Sequence, residues 1–286
     1  MEFVADLDEL LARPELDAVT ITTATDQHRD VIGRAIAAGK HVFTEKILAP
    51  TVAEAEELVE LAREAGVALV VSLPRLYDDY TVAIERILDE GTLGELTYSR
   101  VRLAHDGWVA GWLPEQFADP QAAIGGALTD LGCHPAYLTR LFHRADPVAT
   151  LGELRQRHHG SRGRGQRGGH RRVPRRPPRR LRGERGDHAR SLHRGAPRHR
   201  GLPHVRLRRR ALARQGRRVR RRVAGDPLPE RRPGAFAQWV EHIHDGSTAD
   251  ENLRHAVELT RMVVASNESA ASGHIVDLAP ASASVA

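Results

Sequence analysis

The chain has 286 residues, a single cysteine and a formal net charge of +6. That length supports one large domain or two ordinary ones, each with its own core. No apolar run approaches the roughly 18 residues of a membrane span, and the acidic start MEFVADLDELLA does not read as a signal peptide. One cysteine, Cys133, excludes an internal disulfide and any multi-cysteine metal site; it suits a reducing, cytoplasmic setting.

Residues 1–72 read as strands alternating with helices. DLDELLARPE is a short helix, DAVTIT a buried strand and DQHRDVIGRAIAAG a helix closed by Gly39. KHVFTE is the next strand. TVAEAEELVELAREAG follows as a helix with a Thr51–Glu54 capping box, a stripe through Val52, Ala55, Leu58, Val59 and Ala62, and Gly66 as its stop. VALVV is the third strand. Repetition at this spacing predicts right-handed crossovers in a parallel sheet. Ligands of such sheets bind at the carboxyl ends of the strands, here the loops TTATDQH (22–28) and TEKILAP (44–50).

After SLPRLYDDYTVAIERILDEG, the segment GELTYSRVRLAH reads as a strand of a second sheet. IGGALTDLGCHPAYLTRLF reads as a helix opened by paired glycines, with Asp130 and His134 four residues apart on one face. The composition then changes. Residues 155–222 hold 27 arginines against two acids, so about +25 sits there and the rest of the chain is acidic, at about −19. From Gly152 to Ala235 the aromatic residues, Ile, Met, Lys, Asn and Thr are all missing. Such a segment cannot bury enough apolar surface to offset its ordering entropy, so disorder is expected. It also lacks RGG repeats, interleaved aromatics and any finger spacing, so nucleic acid is not the expected partner. Arg, Gly, Pro, Ala and His together are what GC-rich coding DNA gives when read out of frame, and Lys40 and Lys46 are the chain's only lysines. An aberrant frame-shifted segment over 152–225 fits best. A genuine basic insert and a nucleic-acid-binding element are the alternatives.

DAVTITTATDQHRDVIGRAIAAGKHVFTEK resembles the glucose–fructose oxidoreductase/inositol dehydrogenase/MocA (Gfo/Idh/MocA) family of NAD(P)-dependent sugar oxidoreductases. The carriers are a Thr-rich loop ending in His, a Gly-Lys-His-Val strand and Glu-Lys. GGALTDLGCHPAYLTRLF resembles the family's Gly-Gly-x-Leu-x-Asp-x-Gly-x-His helix, and GAFAQWVEHIHDG with ENLRHAVELTRMVVASNESAASGHIVDL its closing helices and last strand. The resemblance covers about three-quarters of the chain, leaving out the arginine tract.

It implies an α/β chain: an incomplete Rossmann-like parallel sheet over residues 1–73, then an α+β substrate and oligomerisation domain over 74–286 with a largely antiparallel sheet. The family's Gly-x-Gly-x-x-Gly turn, which holds the cofactor pyrophosphate, would lie before Met1. An N-terminally truncated, impaired member is therefore expected, with an inert fragment as the alternative. Ile47 stands where the family has proline, the residue type that tolerates a cis bond.

By the same resemblance the chain would use NAD or NADP to oxidise a hydroxyl of a sugar, inositol or related polyol, as a homo-oligomer. Losing the hydroxyl proton calls for a base titrating near neutrality. His134 would be that base, Asp130 would orient it or hold substrate hydroxyls, and Lys46 would polarise the reacting oxygen, its pKa lowered beside the nicotinamide cation. Thr22, Thr23, His28, Glu45 and Lys46 would line the cofactor. Arg75, Tyr77, His105 and Trp112, with Trp108 nearby, are substrate-side candidates. Cys133 is expected to be a small packed residue rather than a nucleophile, and no metal site is expected.

Overall fold

Three short parallel strands organise the first part of the chain: β1 (Ala18–Ile21), β2 (His41–Thr44) and β3 (Leu69–Val71), side by side in that order. Val19 lies opposite Val42, and Phe43 opposite Val70. The computed structural model describes residues 3–91, 93–114, 124–153 and 228–278. The arginine-rich segment, from residue 154 on, lies outside the described residues.

The connections are helical, as parallel pairing requires. After α1 (Leu7–Leu11), capped by the Asp6 carboxylate on the Asp8 and Glu9 amides, α2 (His28–Ala37) joins β1 to β2 and α3 (Val52–Ala65) joins β2 to β3. Thr51 and Glu54 form the reciprocal capping box, and Gly66 ends α3 at φ +65°, which a side-chain-bearing residue adopts with strain. Ile32, Ala35 and Ile36 of α2 and Ala55, Leu58, Val59 and Ala62 of α3 are buried. All three residues of β3 are buried too, as expected of a strand covered on both faces.

The chain then makes α4 (Asp79–Asp89), a short α5 (Gly107–Ala110), α6 (Cys133–His143), β4 (Ala149–Thr150), α7 (Ala235–Asp245), α8 (Asp250–Ser272) and β5 (Val276–Asp277). Helix α8 packs on α3, β3 and α6. Its Asn252 is bonded to the β3 backbone: Oδ1 accepts the Val71 amide at 2.8 Å, and Nδ2 donates to the Val71 carbonyl at 2.9 Å. Trp239 of α7 covers the opposite side, donating Nε1–H to the Ala68 carbonyl at 3.1 Å and packing against Phe43. One hydrophobic cluster runs from Leu11 to Leu278 through Leu73, Tyr137 and Val257. Among the described residues no helix is long and apolar enough to cross a membrane.

The second sheet is antiparallel, β4 against β5 with Ala149 opposite Asp277 and Thr150 opposite Val276. One expected strand is not formed: residues 94–105, GELTYSRVRLAH, have no ladder. A strand needs a neighbour for its backbone groups, and none of the described residues pairs with this segment. Its backbone runs irregularly instead, with Tyr98 exposed.

Candidate functional site

The loops after β1 and β2 are tied together from inside. His28, at the start of α2, is fully buried; Nδ1 lies 2.9 Å from the Ile47 carbonyl and Nε2 3.2 Å from that of Thr23. Burial pushes its pKa down, against the pull of these backbone contacts. Thr22 and Thr23 are exposed at the end of β1. Past β2 the Lys46–Ile47 peptide is cis, with Ile47, Leu48 and Ala49 fully buried. Lys46 is thereby left between Glu45, facing partly outward, and an anchored apolar run.

A second backbone feature meets Lys46. The paired glycines take positive φ, +90° at Gly125 and +56° at Gly126. A Cβ on Gly125 would lie 2.2 Å from the Asn267 side chain, so this approach to α8 requires glycine. Asn267 donates to the Ile124 carbonyl at 3.3 Å and to Thr129 Oγ1 at 3.1 Å. From Leu128 to Gly132 the helix is π-wound before α6 continues it. Thr129, Cys133 and Tyr137 point inward, all buried. Asp130 turns to Lys46, whose ammonium donates to its carbonyl at 2.8 Å and to Oδ1 at 2.9 Å. His105 Nε2 lies 3.9 Å from the other carboxylate oxygen, and the Trp112 ring rests on His105 at 4.9 Å.

His134 follows one turn later. Its Nδ1 is 2.8 Å from the Tyr137 hydroxyl, which also accepts the Arg75 amide at 3.1 Å. Burial, then the charges of Lys46 and Arg75, push the His134 pKa down to about 4, with Asp130 pulling the other way. The expected base near neutrality is therefore a ring that stays neutral well below pH 7. Its orienting partner is Tyr137 rather than Asp130. At Lys46 burial would lower the pKa, but Cys133, the Asp130 hydrogen bond and charge, and Glu45 raise it overall. Cys133 itself is fully buried, its thiol pushed up to about 11 chiefly by desolvation, which fits packing rather than attack.

Two sequence models of one family match the chain: "Oxidoreductase family, NAD-binding Rossmann fold" over residues 1–73 and "GFO/IDH/MocA C-terminal domain" over residues 81–182. The chain belongs to the Gfo/Idh/MocA family. A 1,5-anhydro-D-fructose reductase of Ensifer adhaerens is 35% identical, covering 52% of this chain and 44% of its own. A D-xylose dehydrogenase of Paenarthrobacter nicotinovorans is 32% identical, covering 48% and 36%. The chain thus spans about two-fifths of the length of these curated relatives. An aldose-aldose oxidoreductase structure from Caulobacter crescentus superposes with a TM-score of 0.58 at 17% identity, covering 95% of this chain and 82% of that one, which shows a shared fold.

Within this Gfo/Idh/MocA chain, Lys46, Asp130 and His105 come together, and the charges of Lys46, Arg75 and Asp130 act on His134. Arg75 is half-exposed and paired with Asp78 at 3.1 Å. Thr22, Thr23 and Glu45 sit at strand ends. Two expectations are corrected. His28 has no open face for a cofactor, because the ring is fully buried with each nitrogen against a backbone carbonyl of the loops it joins. Tyr77 is partly buried against the core, its hydroxyl 3.5 Å from Asn252 Nδ2 of α8. The side chain of Trp108 lies outside the described residues. Tyr137 was not singled out from sequence: an aromatic residue at helical spacing reads as core, and its contact with Arg75 spans 62 positions. Among the described residues no cluster of three or more His, Cys, Asp or Glu is placed to hold a metal.

Proposed function

We propose that the protein is an NAD(P)-dependent oxidoreductase that interconverts a hydroxyl and a carbonyl on a sugar, inositol or related polyol. The observation that carries this reading is the Lys46 ammonium held by Asp130 at 2.8 and 2.9 Å, from segments 84 positions apart. Hydrogen bonding and charge from Asp130 keep Lys46 cationic, and two of its three N–H groups are used there. The third is free to polarise a substrate oxygen. The sugar-acting relatives support the substrate class.

The exposed Thr22 and Thr23 hydroxyls and Glu45 stand where parallel sheets bind ligands, which fits a nicotinamide nucleotide. When bound, that group exchanges hydride with the substrate carbon. In this reading residues 1–73 face the cofactor, and residues 74–286 supply the substrate side, with Arg75, His105 and Trp112 around Asp130. The test is turnover of a panel of aldoses, ketoses and inositols with NAD(H) and NADP(H). Lys46→Ala should lower turnover about 10²–10⁴-fold, with the circular dichroism spectrum retained. Wild-type turnover in that variant overturns the reading.

A further inference from the structure

The environment of Tyr137 decides how His134 carries its proton. Tyr137 is fully buried, and its hydroxyl has two neighbours: the Arg75 amide at 3.1 Å and His134 Nδ1 at 2.8 Å. The Arg75 N–H can only donate, so it occupies a lone pair of the phenol oxygen. The hydroxyl hydrogen then has one acceptor among the described residues, the Nδ1 lone pair. The opposite arrangement, with Nδ1–H donating to the phenol, gives the oxygen two donors and leaves its own hydrogen buried without a partner, which is costly.

We propose that Tyr137 is a positioning residue that fixes His134 as the Nε2–H tautomer, so that the ring meets the substrate's reacting oxygen as a hydrogen-bond donor rather than as a base. This rests on the reading above, in which His134 faces substrate. The local charges agree with it: Lys46 and Arg75 both oppose an imidazolium at this position, and burial opposes it further. A neutral ring donating Nε2–H stabilises negative charge as it develops on oxygen without itself giving up a proton, since that would leave an imidazolate. In the reducing direction the Lys46 ammonium gives the proton to this oxygen through its third N–H and is left as the amine; in the oxidising direction the amine takes that proton back. The two residues divide the work: Lys46 carries the proton, and His134 supplies a fixed dipole.

The proposal separates from the functional reading experimentally, because the tautomer can be read without turnover. The full chain, labelled with 15N-histidine, is recorded at pH 7, and the His134 signals are identified by their loss in His134→Gln. The expected spectrum has a protonated Nε2 and a lone-pair Nδ1, with this tautomer in at least about tenfold excess. In Tyr137→Phe, whose fold is checked by near-ultraviolet circular dichroism, the excess should shrink several-fold. A wild-type ring protonated on Nδ1 overturns the proposal, as does an unchanged ratio in a folded Tyr137→Phe. If that variant does not fold, the wild-type spectrum decides alone. Absence of turnover with every sugar would count against the functional reading and leave the tautomer result intact.

Discussion

Residues 17–71 and the described residues of the later stretch, 94–114 and 124–132, are built on different kinds of information. In the first stretch every strand finds its ladder partner within a few dozen residues, and the helices that join the strands, α2 and α3, lie in between. In the second stretch the backbone takes its shape from distant groups. Lys46 fixes Asp130 across 84 positions, Asn267 fixes Ile124 across 143, and residues 94–105 form no ladder at all. The first stretch makes the platform and carries Lys46; the second brings Asp130 to it. Regular local pattern thus gives rigidity here, and irregular backbone gives placement.

The contrast can be broken most severely in the platform. Leu58, fully buried between α3 and its neighbours, should cost about 2–5 kcal/mol on truncation to alanine, measured by urea denaturation; a loss under about 1 kcal/mol would mean that the platform is loosely packed. The next effect is pH. His134 and His255 are both pushed down to about 4. Burial leads in each case, helped by Lys46 and Arg75 at His134 and by Arg140 and Arg254 at His255; Asp130 and Glu251 respectively oppose it. Unfolded, these rings titrate near 6.5, so between about 6.5 and 4 the unfolded chain binds protons that the folded one refuses. Their contribution is complete above pH 6.5 and is lost towards pH 4, by up to roughly 3 kcal/mol per ring. His255→Gln should flatten that fall, and an equally steep profile would contradict the assignment. The smallest effect belongs to the irregular stretch. Tyr98→Ala, at an exposed position outside any ladder, should change stability by no more than about 0.5 kcal/mol; a larger loss would reveal a packed strand there.

The same contrast explains what could be read from sequence. The α3 capping box, its Ala55–Leu58–Val59–Ala62 stripe and the Gly66 stop are local chemistry, and all are present in the structure. Lys46, Asp130 and His134 were legible through motif resemblance; the structure joins Lys46 to Asp130, and the charges of both act on His134. What was not legible depends on contacts between distant segments. The His134 pKa reflects Lys46, Arg75 and burial, none of which spacing reveals. Likewise, His28 and Tyr77 look like polar loop residues in a motif, yet one is enclosed by two loops and the other meets α8. The strand expected at GELTYSRVRLAH has the right alternation but no partner among the described residues.

The central claim is that Lys46 and Asp130, delivered from the two stretches, act as one unit on the substrate oxygen. A double-mutant cycle on turnover, with Lys46→Ala, Asp130→Ala and the pair, tests it directly. Each single change should cost about 10²-fold or more, and the double variant should lie within about threefold of the worse single, because each group has lost its purpose once the other is gone. Losses that multiply in the double variant would contradict it, showing two independent residues that happen to touch.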